Sequence, residues 1–92
     1  MQYQAMAEKD DSIAITLRSY VLPPGSEDDF PLGQALPFGV SPGTRVGQLL
    51  EKLFGERANQ VGMVVINGKM AKAEILLKDG DRVDVFEILG GG

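Results

Sequence analysis

Apolar and polar residues alternate in two short stretches of the first half of the chain. In SIAITLRSYVL, residues 12–22, the large apolar side chains Ile13, Ile15 and Leu17 are separated by single small or polar residues. In ALPFGV, residues 35–40, every second residue is again large and apolar. A period of two puts alternate side chains on opposite faces of a strand, so both stretches are predicted to form half-buried strands.

The segment between these strands predicts a long loop. PPGSEDDFPLGQ, residues 23–34, holds three prolines, two glycines and three acids, a composition that is typical of a loop. Connections of this length tend to be functional or mobile. Pro37 has no backbone N–H to donate to a neighbouring strand, so the strand that contains it should lie at the edge of a sheet.

One clear amphipathic helix is predicted in SPGTRVGQLLEKLFG, residues 41–55. Its apolar residues follow the spacing i, i+3, i+4 and i+7 of a helix face: Val46, Leu49, Leu50 and Leu53. Thr44 is the expected N-cap, and Gly55 is expected to end the helix in a left-handed conformation. Gly47 costs about 1 kcal/mol relative to alanine, so either the helix tolerates this cost or close packing favours a residue without a Cβ.

The second half of the chain predicts three more strands separated by tight turns. Residues 63–66 are apolar and should form a buried strand, and the Asn-Gly pair at 67–68 is the strongest short-range signal for a hairpin. Only a short strand fits after this turn. An Asp-Gly pair at 79–80 predicts a second turn before a last strand over 82–89.

This order of elements fits an α+β protein with the β-grasp arrangement, in which the helix packs on one face of the sheet. The sheet should be mixed, with four or five strands and the last strand in the middle beside the first. We expect one domain over residues 12–89, a loose N-terminal segment over 1–11 and a flexible glycine tail over 90–92.

Composition excludes several classes of function. The chain has 92 residues, a formal net charge of −4, no cysteine and no histidine. An acidic chain without a basic cluster is a poor partner for nucleic acid or an anionic membrane. Without histidine and cysteine it lacks the usual general base, nucleophile and soft metal ligands. The opening MQYQAMAEKDDS has no apolar run of a signal peptide, so we expect a cytoplasmic protein.

Two acidic clusters are better explained by turns and surface than by metal binding. One is the run over 27–29 in the long loop, and the other is Asp79, Asp81 and Asp84 around the last turn. Their spacing does not match a calcium-binding loop. No phosphate-binding glycine motif is present either. We therefore predict no metal site, no bound cofactor and no catalytic residue of the chain's own.

Phe86 is a candidate for a partner interface. If Val83 and Val85 face the core, then Asp84 and Phe86 face the opposite side of the sheet. An exposed aromatic side chain there, followed by Leu89 near the tail, would suit binding to another protein. The alternative is that a break in the alternation, or the long loop folding over, buries Phe86.

Three glycines, Gly90, Gly91 and Gly92, follow the last predicted strand directly. They are either an inert end or the working group of the molecule. Glycine suits a terminal carboxylate that another enzyme must reach, because a backbone without Cβ atoms enters a narrow channel and takes any conformation. Each extended residue also carries the carboxylate about 3.3–3.6 Å farther from the body.

Four segments in order resemble one family. They are ITLRSYVLPPG, SPGTRVGQLLEKL, VVINGKM and LLKDGDRVDVFEILGGG. The match covers most of the chain, from about residue 13 to residue 92. The last is the most specific, since it joins an Asp-Gly-Asp turn to a strand that runs into terminal glycine. The chain therefore resembles the MoaD/ThiS sulfur carriers, which have the ubiquitin-like β-grasp fold.

This resemblance implies a carrier rather than an enzyme. An E1-like enzyme would use ATP to adenylate the carboxylate of Gly92, and a sulfur donor protein would convert it to a thiocarboxylate. Gly90 and Gly91 would enter the active site of the acceptor, which is a synthase large subunit or a thiazole synthase. The carrier itself would bind no cofactor, nucleic acid or membrane.

The resemblance leaves the pathway open. The chain length, the long first loop and the helix region favour the molybdopterin branch, whereas FEILGGG lacks the proline pair of many molybdopterin carriers and looks more like the thiamine carriers. We expect molybdopterin synthesis. Two alternatives remain: a ubiquitin-like modifier joined to lysines of targets, and a non-catalytic β-grasp module that binds a partner through its sheet.

Overall fold

The computed structural model describes residues 12–25 and 30–88. In this part of the chain, five strands and one α-helix follow one another, with a 3₁₀ helix after the α-helix. In chain order the elements are β1 (Ile13–Ser19), β2 (Leu36–Val40), α1 (Val46–Phe54), the 3₁₀ helix (Gly55–Gln60), β3 (Val61–Ile66), β4 (Lys69–Ala71) and β5 (Arg82–Glu87). The predicted segment 1–11, the acids 27–29, and Leu89 with the glycine tail lie outside the described residues.

The strands form one mixed sheet in the order β2-β1-β5-β3-β4. β1 and β5 run parallel in the interior of the sheet, and the other neighbouring pairs are antiparallel. This arrangement confirms the predicted α+β β-grasp fold, with the last strand returning beside the first. β2 lies at an edge, as the proline at position 37 predicted.

The core lies between the helix and one face of the sheet. Alternate residues of β1 and β5 point into it, among them Leu17, Val83 and Val85, all fully buried. From the helix, Leu49 is fully buried, and Phe54 is buried as well although the helical spacing did not single it out. The buried apolar side chains are Ile15, Leu17, Val21, Val40, Val46, Leu49, Phe54, Val64, Leu77, Val83 and Val85.

The helix begins one residue later than the sequence predicted. Thr44 is not the N-cap, because its carbonyl oxygen accepts a hydrogen bond from Leu77 and Arg45 pairs with Leu76 in an isolated bridge. This bridge holds Arg45 in an extended conformation and makes it the N-cap. The Arg45 N–H donates to Oε1 of Gln48 at 2.8 Å, so a side chain inside the helix satisfies the cap.

The structure explains why glycine occupies position 47 in the helix and position 55 directly after it. A Cβ on Gly47 would lie 3.1 Å from the Cβ of Ala73, and the Gly47 N–H donates to the Ala73 carbonyl oxygen at 2.8 Å. Close packing therefore explains this glycine. Gly55 ends the helix at the predicted position and has positive φ, +49, but its ψ of −116 lies outside the left-handed helical conformation that was predicted. The chain continues directly into a 3₁₀ helix that the sequence pattern did not predict.

β3 is less buried than predicted. Val64 is 5% exposed, but Met63 is 38% exposed because its side chain lies on the face of the sheet opposite the helix. Apolar character alone therefore misplaced Met63. β5 ends at Glu87 in the described residues, two positions before the predicted end.

The two predicted tight turns are joined to each other by side chains. Asn67 and Gly68 both have positive φ, 52° and 86°, as an Asn-Gly hairpin requires. The side-chain amide of Asn67 donates to Oδ1 of Asp81 and its oxygen accepts from the N–H of Arg82, both at 2.9 Å. Asp81 in turn accepts from the N–H of Lys78 at 2.8 Å. These bonds fix the start of β5 against the end of β3.

Replacing Asn67 should separate the backbone effect of this turn from the side-chain effect. Asn67→Gly keeps the positive φ but loses two hydrogen bonds, each contributing about 0.5–1.5 kcal/mol to the free energy of unfolding. Asn67→Ala loses the same bonds and adds a left-handed backbone cost of about 1–2 kcal/mol. Denaturant unfolding should rank the wild type above Asn67→Gly and Asn67→Gly above Asn67→Ala. Equal stability of the two variants would contradict this account.

Candidate functional site

The central strand β5 leads directly to the C-terminal tail. It is paired with β1 on one side and β3 on the other, so both of its edges are occupied. Ile88, the last described residue, donates its N–H to the carbonyl oxygen of Gln60 at 2.8 Å. The predicted functional residues Leu89, Gly90, Gly91 and Gly92 come next and lie outside the described residues.

Phe86 lies on the open face of the sheet, as the alternation predicted. Its neighbours Val85 and Val83 are fully buried on the other face. Phe86 is half-buried rather than fully exposed, because the ring of Tyr20 stacks on it. The two ring centroids are 5.2 Å apart and the ring planes differ by 9°. Such a pair contributes about 0.5–1.5 kcal/mol beyond its area burial.

The long loop after β1 reaches the outer ring of this pair. Gly33 donates its N–H to the carbonyl oxygen of Ser19 at 2.7 Å. A Cβ on Gly33 would lie 3.1 Å from Cε2 of Tyr20, and the φ of Gly33 is +73. The absence of a side chain at this position therefore lets the loop lie against the Tyr20 ring.

An open apolar groove of about 460 Å³ lies beside the aromatic pair, at the end of β5. Its lining residues are Tyr20, Gly62, Met63, Phe86, Glu87 and Ile88. Met63 is 38% and Ile88 51% exposed, so both present apolar surface to solvent. We call these six residues the tail groove, because the chain passes from it into the tail.

Sequence reasoning found only Phe86 among the lining residues of the tail groove. Tyr20 could have been found, because the alternation of β1, continued one residue past its end, places Tyr20 on the same side as Thr16 and Arg18, opposite the core. Met63 was misplaced in the core by its apolar neighbours. Nothing local in the sequence signals that the groove forms, because its members lie in or directly after three strands that are distant along the chain.

The open face changes from apolar to polar two residues farther back along β1 and β5. Nε of Arg18 lies 3.1 Å from Oδ1 of Asp84, and the two side chains are 43% and 21% exposed. A partly exposed pair of this kind contributes about 0–1 kcal/mol. Beside it is a polar pocket of about 160 Å³ lined by Thr16, Arg18, Ala35, Arg82 and Asp84.

The acids around the last turn stabilise the turn and the surface around it, as the sequence predicted. Oδ1 of Asp79 accepts the N–H of Ala14 at 2.8 Å, Asp81 joins the two turns, and Asp84 pairs with Arg18. Within residues 12–25 and 30–88, no group of three acidic side chains is placed to hold a metal ion. Over the same ranges, no helix has the length and apolar character to cross a membrane.

Solved structures define the class of protein. The Haloferax volcanii protein HVO 2177 matches with a TM-score of 0.61 at 22% identity, over 88% of each chain. A ubiquitin from Caldiarchaeum subterraneum matches with a TM-score of 0.57 at 17% identity, over 88% of this chain and 99% of its own. At such identities the likeness concerns the fold, and the fold is that of a ubiquitin-like β-grasp protein.

A further structural relative carries a functional description. A protein described as molybdopterin converting factor subunit 1, from Pyrococcus furiosus, matches with a TM-score of 0.58 at 19% identity, over 84% of this chain and 99% of its own. The model of the ThiS family matches residues 37–92, more than half of the chain. The chain belongs to the ThiS family, whose members are small ubiquitin-like sulfur carriers. No curated protein sequence matches it.

Proposed function

We propose that this chain is a sulfur carrier whose C-terminal carboxylate, on Gly92, is the group that carries sulfur. The observation that carries the proposal is the ThiS family match, which extends to residue 92 and so includes the glycines. In the structure, the central strand β5 leads toward these glycines, and the apolar tail groove lies where the strand ends. The chain acts as a co-substrate, and its partners supply the catalytic groups.

Activation by a partner is required because a carboxylate is a poor acceptor. Its negative charge repels nucleophiles, and its oxygen is a poor leaving group. An E1-like enzyme removes both obstacles when a carboxylate oxygen of Gly92 attacks the α-phosphorus of ATP and pyrophosphate leaves. Sulfide supplied by the donor protein then attacks the acyl carbon and AMP leaves, so that one C–O bond is replaced by one C–S bond and a thiocarboxylate results.

The tail groove is the surface on which these partners dock. Phe86, supported by Tyr20, offers a rigid aromatic surface next to exposed Met63 and Ile88. Buried aromatic anchors of this kind dominate the binding energy of many interfaces. Docking here places the partner at Ile88, the residue after which Leu89 and the glycines follow in the sequence. Gly90 and Gly91 then thread the active site of the partner.

Molybdopterin synthesis is the preferred acceptor pathway. The long loop whose end contacts Tyr20, and the likeness to the Pyrococcus furiosus converting factor subunit, favour it. The thiazole of thiamine is the second candidate, because FEILGGG lacks the proline pair that many molybdopterin carriers have before their last residues. The two readings share the chemistry at Gly92 and differ in the enzyme that receives the sulfur.

A reconstituted transfer assay tests the function and separates the pathways. The chain is first activated by an E1-like enzyme with ATP and a sulfide source. Adenylation is measured by the exchange of pyrophosphate into ATP. The product is then given to a molybdopterin synthase large subunit and, separately, to a thiazole synthase. We expect exchange that depends on the chain and sulfur transfer to the synthase subunit. Transfer only to the thiazole synthase would show that the acceptor pathway is thiamine synthesis. Covalent adducts on lysines of other proteins would favour a ubiquitin-like modifier.

A further inference from the structure

β3 contains one extra residue at the point where β5 ends. Val61 pairs with Glu87 and Met63 pairs with Phe86, so β3 advances by two residues while β5 advances by one. The residue between them, Gly62, is therefore the extra residue of a β-bulge. A glycine inside a strand often marks such a bulge or a close approach of another backbone.

At Gly62 the structure shows a close approach of the backbone that leads to the tail. A Cβ on Gly62 would lie 2.6 Å from Cα of Ile88, and 3.0 Å from both the N of Ile88 and the carbonyl oxygen of Glu87. These are backbone atoms, so rotation of a side chain cannot relieve the contact. The φ of Gly62 is outside the left-handed region, so the position needs glycine for space rather than for conformation.

Ile88 is also hydrogen-bonded to the residue that precedes β3. The N–H of Ile88 donates to the carbonyl oxygen of Gln60 at 2.8 Å. Ile88 is therefore held to β3 and its preceding helix by one hydrogen bond and by the contact across Gly62. Both features act on the last described residue before the tail.

We propose that Gly62 is a positioning residue for the C-terminal tail. Its missing side chain lets the backbone of Ile88 lie against β3 at contact distance, and this contact fixes the position of the residue from which the tail continues. A Cβ at position 62 would push Ile88 away from β3, weaken its bond to Gln60 and displace the point at which the tail begins. The inference rests on the proposed function, because the position of Ile88 matters for activation only if a partner acts on the end of the tail.

Gly62→Ala tests this role, with Gly39→Ala as the matched control. Gly39 lies in β2 on the open face, its φ is also outside the left-handed region, and the nearest atom to an added Cβ is the Ile13 carbonyl oxygen at 3.9 Å. Both variants add one methyl group to a strand glycine, but only one meets the backbone of Ile88. Thermal unfolding of both variants checks that they fold.

Two readouts follow the position of the tail rather than the fold. Amide exchange, measured without a partner, should be about 10-fold faster at Ile88 in Gly62→Ala, because its hydrogen bond opens more often. With an E1-like enzyme, kcat for ATP–pyrophosphate exchange should fall about 10–100-fold, since misplacing a reacting group by about 1 Å can cost that much. KM for the carrier is measured in the same assay, because Gly62 lines the tail groove and a rise in KM with unchanged kcat would indicate an effect on docking rather than on positioning. Gly39→Ala should match the wild type in all three.

A second variant keeps the test decisive if Gly62→Ala folds poorly. Ile88→Pro removes the N–H that binds Gln60 without adding a group at position 62, and it should lower kcat in the same way. An unchanged kcat in both variants, with normal wild-type adenylation, would overturn the positioning role alone. If the wild-type chain is never adenylated while Ile88 exchange still responds to Gly62→Ala, the proposed function fails and the role of Gly62 in activation fails with it.

Discussion

Removal of Gly92 is expected to abolish adenylation while leaving the fold unchanged. The truncated chain ends at Gly91, so its carboxylate lies about 3.3–3.6 Å short of the position that the full tail reaches. A shift of about 1 Å in a reacting group can already cost 100-fold, and this shift is larger. ATP–pyrophosphate exchange with an E1-like enzyme should therefore fall by about 100-fold or more.

One further chain serves as a control for this truncation. A chain with one additional glycine has the same composition at its end but overshoots the site, and it should be impaired as well. Thermal unfolding of both chains should equal that of the wild type, because the described core ends before the tail. A truncated chain that is adenylated at the wild-type rate would show that Gly92 is not the working group.

Phe86→Asp is expected to weaken binding to the activating enzyme by about 30-fold or more. Truncation of an interface hot spot costs about 2 kcal/mol or more, which corresponds to about 30-fold in affinity. The variant also places a carboxylate in an apolar groove, where a docked partner would remove water from an unpaired charge. Binding measured by calorimetry or by KM for the carrier gives the size of the loss.

Ile75→Asp is the matched control for Phe86→Asp. Ile75 is also an exposed apolar residue, 44% accessible, but it lies outside the tail groove. The two variants have the same net charge and replace a large apolar residue by the same acid. Equal loss of affinity in both variants would indicate a general charge effect and would remove the tail groove as the docking surface.

The core and the proposed docking surface lie on opposite faces of the sheet. The face toward the helix holds the core, so the position of β5 is fixed by buried Val83 and Val85. The open face carries the tail groove next to the end of β5. Substitutions of exposed residues on the open face should therefore change partner binding more than stability. At Phe86 the lost stacking on Tyr20 should also lower the free energy of unfolding by about 0.5–1.5 kcal/mol.

Alternation and turn chemistry predicted most of the fold. Each strand was predicted to within a few residues, because the alternation of apolar and polar residues depends only on neighbouring positions and matches the two faces of the folded sheet. Asn67 and Gly80 marked their turns because positive φ strongly restricts the residue type. The prediction of the helix start was wrong by one residue for the opposite reason. The bridge between Arg45 and Leu76 joins segments distant in the sequence, so a capping rule based on neighbouring residues cannot predict it.

The candidate site was only partly predictable. The side of Phe86 followed from alternation, but its stacking on Tyr20 depends on two strands brought together by the parallel pairing of β1 and β5. The bulge at Gly62 shifts the register of β3 by one residue. Apart from the glycine itself, the alternation of apolar and polar residues gives no sign of this shift. The resemblance implied the chemistry of the tail, and the structure adds the apolar surface at the end of β5.

The measurement that tests the account most directly is the intact mass of the wild-type chain after incubation with an E1-like enzyme, ATP and a sulfur donor. The account predicts a fraction heavier by the difference between one sulfur and one oxygen atom. Fragmentation should place this change on Gly92, and the change should require ATP. A chain that is adenylated but never gains sulfur, or that gains it at another residue, would contradict the claim that Gly92 carries it.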